Sequence, residues 1–232
     1  DVDYQPIQGC SGEHDLLDWK AKLLGQSLAR YFIQDGICAL DYLASREDVD
    51  ASRIGLTGHS GGGTQTSMLM MAAGDRFAAA APCAYTSDHR AMMETGIDPD
   101  NEMLWPGCIA KGLDYVDLVA GVAPNPVLFL TNQHDFFPRE GTLRTLADAR
   151  ALWQNAGSAH TVEMATAQSQ HAYPHSLAQA VCAFFAQHLQ ADVQDVQTLL
   201  ADFTFAPVEP SALWCTPEGQ VIKYDPGMRT VH

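Results

Sequence analysis

The chain has 232 residues, 13 Lys+Arg against 28 Asp+Glu and a formal charge of −15. With 47% apolar and 18% charged residues it can bury a core, which excludes a disordered or collagen-like chain. The acidic excess repels phosphate backbones and anionic lipid heads, and no apolar run approaches the roughly 20 residues of a bilayer crossing, so neither nucleic acid nor membrane is expected as a partner.

The first periodic segment runs from Leu16 to about Ser45, with apolar residues at three-and-four spacing (Leu24, Leu28, Tyr31, Phe32, Leu40, Leu43). It predicts one amphipathic helix, with Gly36 as the place for a bend. Ile54 to Thr57, between Arg53 and Gly58, reads as a strand, and Ser60 with three glycines leads from it into a helix over Thr64 to Ala73. Further strands are expected at Phe77 to Ala84, Val127 to Leu130 and His160 to Ala165, and further helices at Thr142 to Ala156 and Ser176 to Leu189. Strands alternating with helices imply an α/β fold with a mostly parallel sheet and helices on both faces.

Residues 87–125 break the alternation, and such excursions commonly shape substrate pockets. Met92, Met93, Met103, Trp105 and Tyr115 are its candidate lining, although Met and aromatic residues serve equally as plain core. Beyond residue 191 one short helix and Pro-punctuated extended segments (Pro207, Pro210, Pro217, Pro226) are expected to form an arm on the domain. The expected division is therefore a catalytic domain over 1–190 and an extension over 191–232. The six cysteines form no CxxC pair and are expected mostly as buried small hydrophobes. Asp1-Val2-Asp3-Tyr4 lacks the basic start and apolar core of a secretory signal, which leaves the compartment open.

Gly58-His59-Ser60-Gly61-Gly62 is a G-x-S-x-G sequence between an expected strand and an expected helix, the context that motif needs. A strained strand-to-helix turn would hold the Ser60 hydroxyl in the open beside a base. Gly58 and Gly62 would permit the tight approach of strand and helix, and the Gly61 N–H would face a developing oxyanion. A glycine-rich loop capping a helix, or holding phosphate, is the plainer reading. The partners of a nucleophilic serine follow in the order acid, then histidine. Asp135 comes just after the strand Val127 to Leu130, where it could also be a turn aspartate, with Asp88, Glu102 and Glu140 in reserve. His171 lies in the loop before the helix from Ser176, and His175 is its rival at the helix start. His59 should point away from Ser60. His14, His89, His134, His160 and His188 read as structural or solvated, and no HxxxH or HxH pair suggests a metal.

These residues resemble a family. Arg53-Ile54-Gly55-Leu56-Thr57-Gly58-His59-Ser60-Gly61-Gly62-Gly63, then Pro124-Asn125-Pro126-Val127-Leu128, Asp135-Phe136-Phe137-Pro138 and His171-Ala172-Tyr173, are similar to segments of the α/β-hydrolase superfamily near its acetyl xylan esterase-like and prolyl oligopeptidase-like branches. The resemblance spans about residues 16–190 and implies a serine carboxylic ester hydrolase acting on short acyl esters. Ser60, Asp135 and His171 would be its catalytic residues, Gly61 would serve its oxyanion hole, and no cofactor would be needed. His59, Trp105 and Tyr173 are candidate substrate-pocket residues. A prolyl oligopeptidase-like peptidase and a catalytically silent hydrolase-like subunit are the alternatives.

That superfamily's sheet has about eight strands with the nucleophile after the fifth, whereas 52 residues precede Arg53 here and most read as helix. The strand Ile54 to Thr57 is then expected to lack a neighbour on one side, and a bare parallel edge invites another backbone. A second copy of the chain, or a separate amino-terminal piece, is the expected partner there.

Overall fold

The computed structural model of the chain describes residues 10–97, 99–201, 206–225 and 227–228. The opening Asp1 to Tyr4 and Pro226 lie outside the described residues.

Two helices stand where the periodicity predicts one: α1 (Cys10–Leu23) and α2 (Ala29–Ser45). The break falls at Gly25, whose φ of 68° suits a residue without Cβ. There Gln26 N–H donates to Ala21 O and Gly25 N–H to Lys22 O, both at 2.9 Å, the paired bonds that end a helix in a left-handed glycine. The buried Asp18 then accepts from Leu28 N–H at 2.7 Å and pairs with Lys22 at 2.7 Å, which fixes the return into α2. Gly36 does not bend α2. A Cβ there would lie 2.8 Å from both Leu69 Cδ atoms, so its smallness lets α2 lie on the next helix.

The strands β1 (Gly55–His59), β2 (Ala79–Cys83), β3 (Val127–Asn132) and β4 (Val162–Ala167) form one parallel sheet in the order β1-β2-β3-β4. Between and after them come α3 (Gly61–Ala73), α4 (His89–Thr95), α5 (Tyr115–Ala120), α6 (Arg139–Asn155), α7 (His175–His188) and α8 (Val193–Ala201). Strand side chains alternate between two cores with period two. Ala80, Val127, Phe129 and Val162 face Leu40 of α2, Met70 of α3, Val119 of α5 and Trp153 of α6. Ala79, Ala81, Cys83, Leu128 and Leu130 face Leu177, Val181 and Phe184 of α7. Both faces are thus covered, which explains why β2 and β3 are buried at every position. Among the described residues β1 pairs with β2 alone, so one edge of the sheet is open.

The excursion over 87–125 holds α4, α5 and short turns at Asn101–Met103 and Ile109–Lys111. It is rooted through two glycines. A Cβ on Gly74 would run into the Gly121 carbonyl, and one on Gly121 into the Met70 carbonyl, so the end of α3 meets the end of α5 backbone to backbone.

In the carboxyl-terminal extension α8 is the short helix expected. The segment over 206–225 holds a turn at Pro210–Leu213 and α9 (Val221–Tyr224), and of its residues whose burial is described all but Thr216 are exposed. The cysteines depart from expectation. Cys83 and Cys108 are buried, Cys182 is intermediate, and Cys10, Cys38 and Cys215 are exposed on helices or loops where no core claims them. No described helix is long and apolar enough to cross a membrane.

Candidate active site

The bend between β1 and α3 places Ser60 at φ 56° and ψ −116°, a conformation that costs on the order of 1–3 kcal/mol and persists only when its surroundings impose it. Ser60 N–H donates to Cys83 O at 3.0 Å, and Ser60 O accepts the first helical bond from Thr64 N–H at 2.9 Å. Two glycines make the bend sterically feasible, and they are Gly58 and Gly63 rather than the expected Gly58 and Gly62. A Cβ on Gly58 would strike the Gly62 carbonyl, and one on Gly63 would lie 2.6 Å from Cys83 O. A Cβ on Gly61 or Gly62 would meet nothing within 4 Å. Gly61 opens α3, so its N–H belongs to the unpaired amides of a helix N-terminus, where partial positive charge collects.

Asp135 and His171 meet at the carboxyl ends of β3 and β4. His171 Nδ1 lies 2.9 Å from Asp135 Oδ1 and 3.1 Å from Oδ2, and the Asp135 side chain is 4% exposed. Asp135 is itself held, accepting from Phe137 N–H at 3.1 Å and from Asn132 Nδ2 at 3.2 Å. Asn132 also donates to Ala172 O at 2.9 Å and accepts from Ser169 Oγ at 2.6 Å, tying the loop of the acid to the loop of the histidine. Sequence reasoning missed Asn132. Its signal is its place at the end of β3, three residues before the acid.

The rivals are occupied elsewhere. His175 is exposed at the first turn of α7. Asp88 pairs with Arg144 at 2.6 Å and caps α4 through Ala91 N–H. Glu102 pairs with His14, and Glu140 lies exposed in the first turn of α6.

His171 sits between two rings, His59 at 4.7 Å and Phe136 at 4.4 Å between centroids. His59 precedes Ser60 in the chain, and Phe136 shares a cavity wall with Ser60, so the imidazole lies next to the bend. Among the described residues Ser60 Oγ makes no hydrogen bond to His171. His59 Nε2 is buried without a partner among the described residues, and burial, followed by the neighbouring His171, lowers the His59 pKa. The His59 ring packs against His171 and Tyr173. Behind it, burial and then the charge of Asp135 push the Cys83 thiol up to about 12.

The cavity containing Ser60 measures about 170 Å³. Its apolar wall includes Met92, Ile97, Met103, Phe136 and Phe137, and its polar end carries Ser11, His14, Asp100 and Glu102. Burial and then the adjacent Asp100 push the Glu102 carboxyl up to about 9. His59, Trp105 and Tyr173 are not among the residues lining this cavity. Tyr173 packs in the core on the α7 side, and Trp105 lines a separate hollow with Gly25 and Met71. A larger groove of about 840 Å³ crosses Ile54, Phe77, Pro126 and His160 at the amino ends of the strands, opposite Ser60.

The family model for the prolyl oligopeptidase family matches residues 18–192. The protein YtaP of Bacillus subtilis (strain 168) is 28% identical over 151 residues, covering 64% of this chain and 50% of YtaP. The chain thus spans about half the length of that curated relative. Among solved structures, Methylesterase BT1017 superposes with a TM-score of 0.59 at 26% identity, covering 75% of this chain and 38% of that one. The CE15 glucuronoyl esterase from Caldicellulosiruptor kristjansonii gives a TM-score of 0.59 at 16% identity over 83% of this chain and 57% of its own, a likeness of fold. The fold is accordingly that of an α/β-hydrolase, with four strands among the described residues.

Proposed function

The chain belongs to the prolyl oligopeptidase family, and from that premise we propose that it is a serine hydrolase cleaving short-chain carboxylic esters through an acyl-serine intermediate. One observation supports the reading: a strained Ser60 at a helix N-terminus lines a cavity with Phe136, whose ring packs on a His171 whose Nδ1 is gripped by Asp135. With Nδ1–H committed to Asp135, Nε2 is left as the basic nitrogen. His171 takes the Ser60 proton as Oγ attacks the ester carbonyl, the Gly61 N–H receives the developing oxyanion, and the alcohol departs with the proton from His171. Water activated by His171 then attacks the acyl-serine and releases the acid. The present lack of a Ser60–His171 bond suits a resting site, since such contacts tighten when substrate fills the cavity.

The apolar wall beside Ser60 and the small cavity volume support a short acyl group, and the methylesterase likeness at 26% identity supports an ester over an amide. The decisive experiment pairs a fluorophosphonate label with turnover of a p-nitrophenyl ester. Labelling at Ser60 with ester turnover, both abolished in Ser60→Ala, supports the reading. Faster cleavage of acyl-amino-acid amides than esters would favour a peptidase, and a folded but unlabelled chain a silent subunit.

A further inference from the structure

Three side chains that the proposed ester chemistry does not use converge at the polar end of the Ser60 cavity. His14 comes from α1, and Asp100 and Glu102 come from the turn before and within Asn101–Met103. His14 Nδ1 lies 3.0 Å from Asp100 Oδ1 and 3.0 Å from Glu102 Oε2, and one ligating atom from each residue fits within 4.8 Å of the others. Glu102 is 3% exposed. The arrangement is braced from outside: Phe32 packs edge-on against the His14 ring at 5.4 Å between centroids, and Ser11 Oγ donates to the far oxygen of Asp100 at 2.7 Å.

This convergence offers three donor atoms to one cation. Nδ1 of an imidazole carries at most one proton, yet two carboxyl groups meet there, one of them buried, so without a cation the carboxyl pair holds a proton in place of one charge, and a divalent cation can take the place of that proton. Lys22 on the same helix is directed instead to Asp18 at 2.7 Å and to Asn101. A neutral imidazole nitrogen with two carboxylate oxygens is a donor set that zinc and its neighbours in the first transition row accept. In a tetrahedral site with bonds of about 2.0–2.1 Å the donors stand about 3.4 Å apart, so a separation of 3.0 Å needs only a small outward adjustment.

We propose that His14, Asp100 and Glu102 form a binding site for a divalent transition-metal cation of the zinc type, with its free coordination position opening into the cavity that holds Ser60. A cation there would take an oxygen of whatever occupies the cavity, a carboxylate, carbonyl or hydroxyl, and so favour oxygen-bearing ligands at the end away from the apolar wall. Ser11 then acts as an outer support that orients Asp100.

The test is calorimetric titration of Zn²⁺ into the metal-stripped full chain, with Cys10, Cys38 and Cys215 replaced by Ser so that exposed thiols do not compete. One equivalent should bind saturably, raising the thermal midpoint, and the affinity should fall at least fivefold in both His14→Gln and Glu102→Gln. Absence of saturable binding, or a loss below fivefold in either variant, overturns the site. Circular dichroism of the metal-free variants checks folding, and Asp100→Asn replaces any variant that fails it, judged by the same fivefold criterion. Ser60→Ala is expected to bind Zn²⁺ normally, so this outcome is read independently of the ester reading.

Discussion

Asp135 holds His171 with both carboxylate oxygens, at 2.9 and 3.1 Å from one ring nitrogen, and the Asn132 amide spans from Asp135 to the backbone of the histidine loop. The acid therefore fixes both tautomer and ring position, while Asn132 fixes the acid.

In Asp135→Asn the amide can donate to Nδ1, which favours the wrong tautomer in unchanged geometry. The expected loss in kcat on a p-nitrophenyl ester is about four powers of ten with little change in circular dichroism. Asn132→Ala should cost less, about 10- to 100-fold in kcat with KM nearly unchanged, because it loosens positioning and leaves the groups in place. Equal losses in the two variants would contradict this division.

Gly58 and Gly62 occupy matching places in the motif but differ sterically. Gly58→Ala would press a methyl into the Gly62 carbonyl and is expected to destabilise by about 1–3 kcal/mol with loss of turnover. Gly62→Ala adds a methyl to open space inside a helix and should be neutral or stabilising by up to about 1 kcal/mol. Urea unfolding of the two variants checks the contrast.

The Asp88 carboxyl is opposed by burial, yet the Arg144 guanidinium and the Ala91 N–H outweigh that cost and hold its pKa below the ordinary aspartate value. A lowered folded-state pKa means that the unfolded chain binds the proton more readily. The stabilisation is therefore complete above the ordinary value of about 4 and is lost as pH falls toward the folded-state value. The stability gap between wild type and Asp88→Asn should narrow from pH 6 to pH 2.5 in urea unfolding. A gap independent of pH would show that the ion pair contributes nothing to it.

The open edge of β1 carries the partner expectation. Light scattering of the purified chain is expected to show a dimer, or a monomer that gains ester turnover when an amino-terminal piece is supplied. A monomer fully active alone would show that the edge needs no cover.

The parts of the site written in neighbouring residues were legible. The Ser60 bend follows from a short apolar strand meeting a glycine-rich helix start, and the positions of Asp135 and His171 follow from the ends of β3 and β4. What depends on distant contact was not. Helical periodicity runs straight through Gly25, so the α1–α2 break was invisible to it, and Gly36 drew attention although its role is to clear Leu69, far along the chain. His14, Asp100 and Glu102 come together across 86 and 88 residues, a spacing that no local pattern encodes.

The glycine pair at the root of the excursion has a further consequence. Because Gly74 and Gly121 leave no room between α3 and α5, the helix that follows Ser60 and residues 115–122 share one chassis, and a side chain at either glycine would wedge them apart.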